Sequence, residues 1–157
     1  MNHWLMKSEP DVFSIQTLAQ KRKSLWDGVR NYQARNFMTK DMKPGDLVMF
    51  YHSSCEIPGI AGLARVSSAA VPDPSQFDKK SEYFDAKATR EKPIWFCVEV
   101  EYLREFKKLL PLEEIKKQKS LQDLLLLKRG QRLSIQPLSD KQYQNLLKAA
   151  GETDNLK

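Results

Sequence analysis

Apolar residues in this chain fall into short runs bounded by turn-forming residues, and this pattern limits the possible folds most strongly. Residues 3–7 (HWLMK) and 47–53 (LVMFYHS) are two such runs, adjoined by the turn signals SEPD and KPGD. A third strand is predicted in residues 59–66 (GIAGLARV), where small residues allow another backbone or a ligand to approach closely. The first run is short and largely apolar, which favours a central strand of a sheet.

Two later segments complete the predicted strands. Residues 93–106 (PIWFCVEVEYLREF) alternate, with Phe96, Val98, Val100 and Tyr102 on one face, and predict one long antiparallel strand. RLSIQP is the last strand candidate. The segment 72–92 has no sustained period and contains two prolines, which predicts a long ordered loop.

The predicted helices are short and begin at recognisable caps. They are IQTLAQKR capped by Ser14, YQARNFMTK after the turn WDGVRN, LEEIKKQ beginning at Pro111, LQDLLLLK capped by Ser120, and SDKQYQNLLKAA with a Ser139–Gln142 capping box and an end at Gly151. Strands mixed with short helices, without regular alternation, predict an α+β fold in which helices pack around a barrel or bent sheet.

Composition favours a soluble protein of one domain whose partner is a polyanion. The chain has 157 residues and a formal net charge of +6, so nucleic acid is a more plausible partner than an acidic protein. No apolar run approaches the roughly 20 residues that cross a bilayer, and the start lacks the layout of a secretory signal. We therefore expect no membrane partner and a cytoplasmic location, or a nuclear one if the source is eukaryotic.

The motifs that carry common catalytic chemistry are missing from the sequence. His3 and His52 are the only histidines, and Cys55 and Cys97 lack a C-x-x-C companion, so we expect free thiols and no bound metal. No G-x-S-x-G elbow, Walker loop or G-x-G-x-x-G is found. These absences argue against the commonest hydrolase, phosphate-binding and dinucleotide-binding classes.

Polar and aromatic residues cluster where predicted strands pass into turns, which is where pocket rims form. Trp26 could stack on a planar ring, although core packing is commoner for a tryptophan. The side chains that could read a base edge, with capping or loop hydrogen bonds as the commoner role, are Ser8, Asn31 and Gln136. Those that could reach phosphate, with solvated surface charge as the commoner role, are Lys7, Arg30 and Arg35.

Taken in order, these segments resemble the EVE domain family of the PUA-like fold. The resemblance is carried by WLMKSEPDVFSIQTL, WDGVRNYQARNFMTKDMKPGDLVMFYHS, PGIAGLARV, PDPSQFD, PIWFCVEV and RLSIQPLSDKQY, which together cover nearly the whole chain. It implies one EVE domain over residues 1–157, built as a twisted, barrel-like mixed sheet surrounded by short helices.

The resemblance also implies a function, because EVE domains are similar to the YTH and SRA domains that grip modified bases extruded from RNA or DNA. The implied protein is a monomeric, non-catalytic reader without a cofactor. The implied base pocket comprises Lys7, Ser8, Trp26, Asn31, Tyr32, His52, Ser53 and Gln136. The predicted contacts to phosphate are Arg30 and Arg35. Residues 54–57 depart from the polar, Asn-bearing turn expected at the lip of this pocket.

Two other classes of function remain open from the sequence. Other PUA-like families include hydrolases and nucleases, and Lys7 with Glu9 or Asp27 could form an acid-base pair if burial shifts their pKa values. No activated nucleophile accompanies them. A protein-interaction module is the third class, but the sequence offers neither a linker nor an exposed apolar stripe to support it.

Overall fold

The computed structural model describes residues 1–153, which form a curled, mixed half-barrel sheet with short helices around it. The strands are β1 (His3–Ser8), β2 (Lys23–Leu25), β3 (Leu47–His52), β4 (Gly59–Val66), β5 (Val71–Pro72), β6 (Phe96–Cys97), β7 (Glu99–Pro111) and β8 (Ile135–Leu138). Six of them form one sheet in the order β2-β7-β4-β3-β1-β8, and β5 pairs with β6 separately. Among the paired strands of the described range, only β1 and β3 run parallel, so their carboxyl ends meet at one end of the sheet.

Within residues 1–153, four α-helices connect or follow these strands. They are α1 (Ile15–Lys21), α2 (Tyr32–Asn36), α3 (Leu112–Lys117) and α4 (Asp140–Ala149), and a π-helical turn over Phe37–Asp41 continues α2. The Ser14 cap, the Ser139–Gln142 capping box and the stop at Gly151 are confirmed; Gly151 has a φ of 70°. No helix within residues 1–153 is long and apolar enough to cross a membrane.

Strands β1 and β3 are buried on both faces of the sheet, which explains their apolar runs. Trp4, Met6 and Phe50 pack on one face against α1 and α2. Leu5 and Met49 pack on the other face against α3 and α4. A strand covered on both sides has no polar face to alternate with, so its sequence is apolar throughout.

The small residues of β4 allow β7 to approach closely, as their sequence predicts. A Cβ atom on Gly62 would lie 2.4 Å from the carbonyl oxygen of Arg104, and one on Gly59 would lie 2.3 Å from that of Leu110. Both distances are too short for any side chain, so glycine is required for this pairing of β4 with β7.

Two of the predicted elements are wrong in detail. The segment 93–106 is not one strand: β6 pairs with β5, β7 pairs with β2 and β4, and between them the carbonyl oxygen of Val98 accepts a hydrogen bond of 2.8 Å from the backbone of Trp26. The predicted helix LQDLLLLK is replaced by 3-10 turns at Lys119–Leu121 and Leu125–Leu127. Burial of Leu121 and Leu124 in the core, rather than helix propensity, decides that segment.

Both cysteines are free, which leads to a testable difference in their reactivity. Cys97 is fully buried, and burial, with the nearby charges of Asp73 and Asp27, raises its pKa to about 12, whereas Cys55 is half-buried. A thiol reagent requires the thiolate and access to it. We expect one thiol to react rapidly in the folded protein and two in unfolded, non-reduced protein. Failure of both to react after unfolding would show a disulfide instead.

Candidate functional site

A cavity of about 1020 Å³ lies where the parallel strands β1 and β3 end. Its walls come from five segments that are distant in sequence. They are residues 7–9 at the end of β1, residues 12–13 before α1, residues 24–30 around and after β2, residues 53–54 after β3, and residues 131, 132 and 134 before β8. Lys21 and Tyr83 complete the wall. Strand ends are where the sequence predicts the pocket.

Trp26 and Phe13 form the aromatic wall of this cavity. Trp26 borders the cavity, yet only 6% of its surface is exposed. The rest is covered because its ring packs edge-on against Phe50 and Phe13, with centroid distances of 5.4 Å and 6.1 Å. It is therefore both a core residue and a wall residue. Phe13 was not among the predicted pocket residues, although its place directly before the Ser14 cap is a position that often packs against a helix.

Three of the predicted polar residues lie in the cavity wall: Lys7, Ser8 and Ser53. The Ser8 hydroxyl donates to the carbonyl oxygen of Phe13 at 2.7 Å. The backbone N–H of Ser53 donates to the carbonyl oxygen of Ser8 at 2.9 Å. These bonds tie two wall segments together. Burial lowers the pKa of Lys7, whose ammonium lies 5.9 Å from the centre of the Tyr51 ring.

Three other predicted residues, Asn31, His52 and Gln136, lie outside the cavity, contrary to the sequence prediction. The Asn31 side chain caps α2 by accepting from Ala34 at 2.9 Å, and Nε2 of His52 accepts from the backbone of Ile15 at 3.1 Å. Gln136 is buried and donates to the carbonyl oxygen of Leu133 at 3.0 Å. In each residue, a polar atom that could hydrogen-bond to a base edge already bonds to the backbone.

Tyr32 and Arg35 also lie away from the cavity. Tyr32 is 59% exposed and stacks on Trp95, with ring centroids 4.9 Å apart. The guanidinium of Arg35 lies 4.7 Å from the centre of the Tyr32 ring and donates to the carbonyl oxygen of Ile94 at 2.9 Å. Arg35 instead borders a second, more open groove of about 570 Å³.

Arg30 borders the cavity, but its guanidinium is occupied by the protein rather than free for phosphate. Its Nη1 donates to Asp73 at 3.1 Å, and its Nη2 donates to the Ser75 hydroxyl at 3.0 Å and the Tyr83 carbonyl oxygen at 2.7 Å. The carboxylate of Asp73 already neutralises the charge. Arg30 therefore holds the loop that carries Tyr83 against the cavity.

Asp27 and Gly28 shape the same wall. The pKa of Asp27 is raised by burial and then by the Asp73 carboxylate, so its carboxyl is more readily neutral than an exposed one. Gly28 has a φ of 81°, and a Cβ there would lie 2.8 Å from the Tyr83 ring. Only glycine allows Tyr83 to lie this close. Both Asp27 and Tyr83 are wall residues absent from the predicted pocket.

His52 gives the fold a pH dependence whose sign follows from its hydrogen bond. Nε2 can accept from Ile15 only when the imidazole is neutral, and burial lowers the pKa of His52, partly offset by Glu105. The unfolded histidine takes up a proton below about pH 6.5, whereas the folded one resists it. This contribution to stability is therefore complete above that pH and lost as the pH falls below it.

We expect His52→Gln, whose side-chain oxygen can accept the same bond at any pH, to flatten the decline of stability between about pH 7.5 and pH 5.5. Urea unfolding of both proteins across this range measures the effect. Parallel decline in the two proteins would contradict the assignment, since His3 and the carboxylates are common to both.

Comparisons with known proteins place this geometry in a family. A sequence model described as EVE domain matches residues 2–149. Human thymocyte nuclear protein 1 is 42% identical over 165 aligned residues, which cover 93% of this chain and 72% of that protein. Its name describes no catalytic activity.

Solved structures agree with this family over nearly the whole chain. A Pseudomonas syringae protein superimposes with a TM-score of 0.91 at 47% identity, covering 94% of this chain and 99% of the other. The crystal structure of human THYN1 in complex with DNA containing 5-methylcytosine superimposes with a TM-score of 0.90 at 40% identity, covering 98% and 99% of the two chains.

Proposed function

The chain belongs to the EVE domain family, and from that membership we propose that it is a non-catalytic nucleic-acid-binding protein that holds a flipped, modified base in the cavity beside Trp26. The observation that carries this proposal is the likeness, over almost the full chain, to human THYN1 crystallised with DNA containing 5-methylcytosine. The cavity at the ends of β1 and β3 supports it, because aromatic and polar side chains meet there.

The cavity wall offers the chemistry that a captured base requires. Phe13 and Trp26 provide apolar ring surface for a planar base, and stacking contributes about 1–3 kcal/mol per base. Asp27 can accept a hydrogen bond from an exocyclic amino group such as N4 of cytosine. We assign Asp27 this role and keep Lys7, Ser8 and Ser53 as wall residues that fix the shape.

The alternative is an enzyme of the same fold, and one observation favours it. Lys7 and Asp27 both line the cavity with pKa values shifted toward their neutral forms, which is the direction useful for proton transfer. We place it second because no group of three His, Cys, Asp or Glu residues that could hold a metal ion occurs in residues 1–153. Turnover of modified nucleotides or RNA by purified protein would favour the enzyme.

Binding to matched oligonucleotides tests the proposal directly. Duplexes and single strands of DNA and RNA, identical except for one 5-methylcytosine or another modified base, are titrated at two salt concentrations. We expect tighter binding of one modified member than of its unmodified twin at both. Salt-dependent binding of all members with equal affinity would remove the selective pocket from the proposal.

The remaining features of the proposal concern context. We propose one EVE domain over residues 1–157, acting as a monomer without a cofactor. A nucleic-acid reader must share a compartment with its target, which is the cytoplasm or, in a eukaryotic source, the nucleus. The basic net charge of +6 agrees with a polyanionic partner.

A further inference from the structure

We propose that the loop of residues 128–132 (KRGQR) binds the phosphate backbone of the nucleic acid whose base enters the cavity. This proposal rests on the proposed function for the statement that a modified base enters the cavity. The phosphate contact itself requires only that the ligand is a nucleic acid. Gln131 and Arg132 lie in the cavity wall, and Lys128 and Arg129 precede them in the same loop. Arg132 therefore lies at the edge of the cavity, and the loop carries two further cations close to it in sequence.

These three cations are available to a ligand. Lys128, Arg129 and Arg132 are exposed, and none of them forms an ion pair with another residue in the described range 1–153. A phosphate can bind them without first displacing a carboxylate. Exposure also keeps the cost of desolvating them low.

Three other basic side chains in this region already have partners within the protein. Arg30 is paired with the buried carboxylate of Asp73 at 3.1 Å. On strand β2, the ammonium of Lys23 lies 3.6 Å from the carboxylate of Glu101. The guanidinium of Arg22 lies over the Tyr102 ring. Lys7 and Lys21 also line the cavity and add to the positive charge there, while the loop of residues 128–132 contributes three exposed cations in one segment.

The loop is also fixed in place, which a phosphate contact needs if it is to set the position of a base. The backbone N–H of Gln131 donates to the Lys128 carbonyl oxygen at 3.1 Å, and its side-chain oxygen accepts from Leu133 at 3.0 Å. The buried Gln136 side chain donates to the carbonyl oxygen of Leu133, the residue that follows the loop.

The test removes these charges and compares the result with an equal loss elsewhere. The loop variant is Lys128→Gln, Arg129→Gln, Arg132→Gln. The control variant is Lys43→Gln, Lys141→Gln, Lys148→Gln, three exposed lysines that do not line the cavity. Both lose three positive charges, so any effect of net charge alone is shared. Urea unfolding confirms that both remain folded.

Titration of a methylated and an unmodified DNA duplex over a range of salt concentrations gives the readout. For duplex DNA each phosphate contact contributes about 0.9 to the slope of log affinity against log salt. We expect the loop variant to lose about 2.7 from that slope and on the order of a hundredfold in affinity at about 0.15 M salt, equally for both duplexes. The control variant should keep the slope of the unaltered protein.

The outcomes separate this inference from the proposed function. An unchanged slope in the loop variant, an equal loss in the control variant, or no binding of DNA by the unaltered protein would each overturn the inference. A reduced slope confined to the loop variant supports it. If that result appears together with equal affinity of the unaltered protein for both duplexes, the phosphate loop stands while the modified-base proposal fails.

Discussion

Replacing Trp26 by Leu should remove most of the preference for a modified base while leaving the binding of unmodified nucleic acid nearly unchanged. Leucine keeps apolar volume in the core but has no aromatic face. Losing a stacking surface costs about 1–3 kcal/mol, which is roughly a tenfold to hundredfold loss of affinity for the captured base. An unmodified strand held only through its phosphates does not use that surface, so its affinity and its salt dependence should persist.

The matched control for this variant is Trp4→Leu. Trp4 and Trp26 are similarly buried, at 3% and 6% exposure, and both belong to the core on the same face of the sheet. Trp4 does not line the cavity; its indole N–H donates to Asp46 at 3.0 Å, near the start of β3. Both variants should lose stability, because a large core side chain is reduced in each.

Affinities for the modified and unmodified duplex are measured at a temperature where circular dichroism shows both variants folded. Only the Trp26 variant should lose selectivity. If Trp4→Leu loses it to the same extent, the effect reports general loosening of the core. If Trp26→Leu weakens both duplexes equally, the base does not stack on this residue.

The parts of the fold that the sequence predicts are those specified by local signals. Strand β1 and strand β3 follow from short apolar runs beside turns, and helix α4 follows from the capping box at Ser139 and the glycine at position 151. The break between β6 and β7 does not, because it depends on Trp26 reaching Val98 from a segment about 70 residues away. Hydrogen bonds over such separations leave no periodic trace in the sequence.

The candidate site was predictable to the same degree. Lys7, Ser8 and Ser53 line the cavity because they lie at the end of, or directly after, a strand, and strand ends can be located from sequence. Tyr83 could not be found this way, since it lies within the long loop of residues 72–92. Hydrogen bonds from Arg30 and close packing on Gly28 hold it at the cavity.

Three of the polar residues predicted to contact the base lie outside the cavity for a physical reason. Asn31, His52 and Gln136 are residue types that can read a base edge, but each satisfies a backbone group of the fold instead. A buried N–H or carbonyl must be paired, and the sequence alone does not reveal which side chain pairs it. Residue type therefore predicts the capacity to bond but not the partner.

Asp73→Ala should destabilise the protein more than any surface substitution. The Asp73 side chain is 0% exposed and accepts hydrogen bonds from Gly28 at 2.8 Å, from Arg30 at 3.1 Å, and from the backbone and hydroxyl of Ser75 at 2.8 and 2.5 Å. Removing it leaves the Arg30 charge without its partner and buried donors unpaired. Breaking a buried ion pair in this way costs about 3–5 kcal/mol of unfolding free energy.

The same carboxylate makes this contribution depend on pH. Burial by itself would raise the pKa of Asp73, but the hydrogen bonds from Ser75, Gly28 and Arg30 outweigh burial and hold the pKa below its ordinary value. The contribution is thus fully present above the unfolded pKa of about 3.9 and is lost as the pH falls through the lower folded pKa. The difference in unfolding free energy between the unaltered protein and Asp73→Ala should therefore be constant near neutrality and shrink only in strong acid.

Asp78→Ala is the matched control, because Asp78 is an exposed carboxylate of the same loop that accepts a bond of 2.9 Å from the backbone of Lys80. Urea unfolding at pH 7 should show a loss of less than about 1 kcal/mol for it. Since Asp73 ties the loop of Tyr83 to Gly28 and Arg30, its removal should also weaken the preference for a modified base under conditions where the variant is still folded. Equal, small losses of stability in the two variants would mean that Arg30 finds another partner and that the cavity wall does not depend on Asp73.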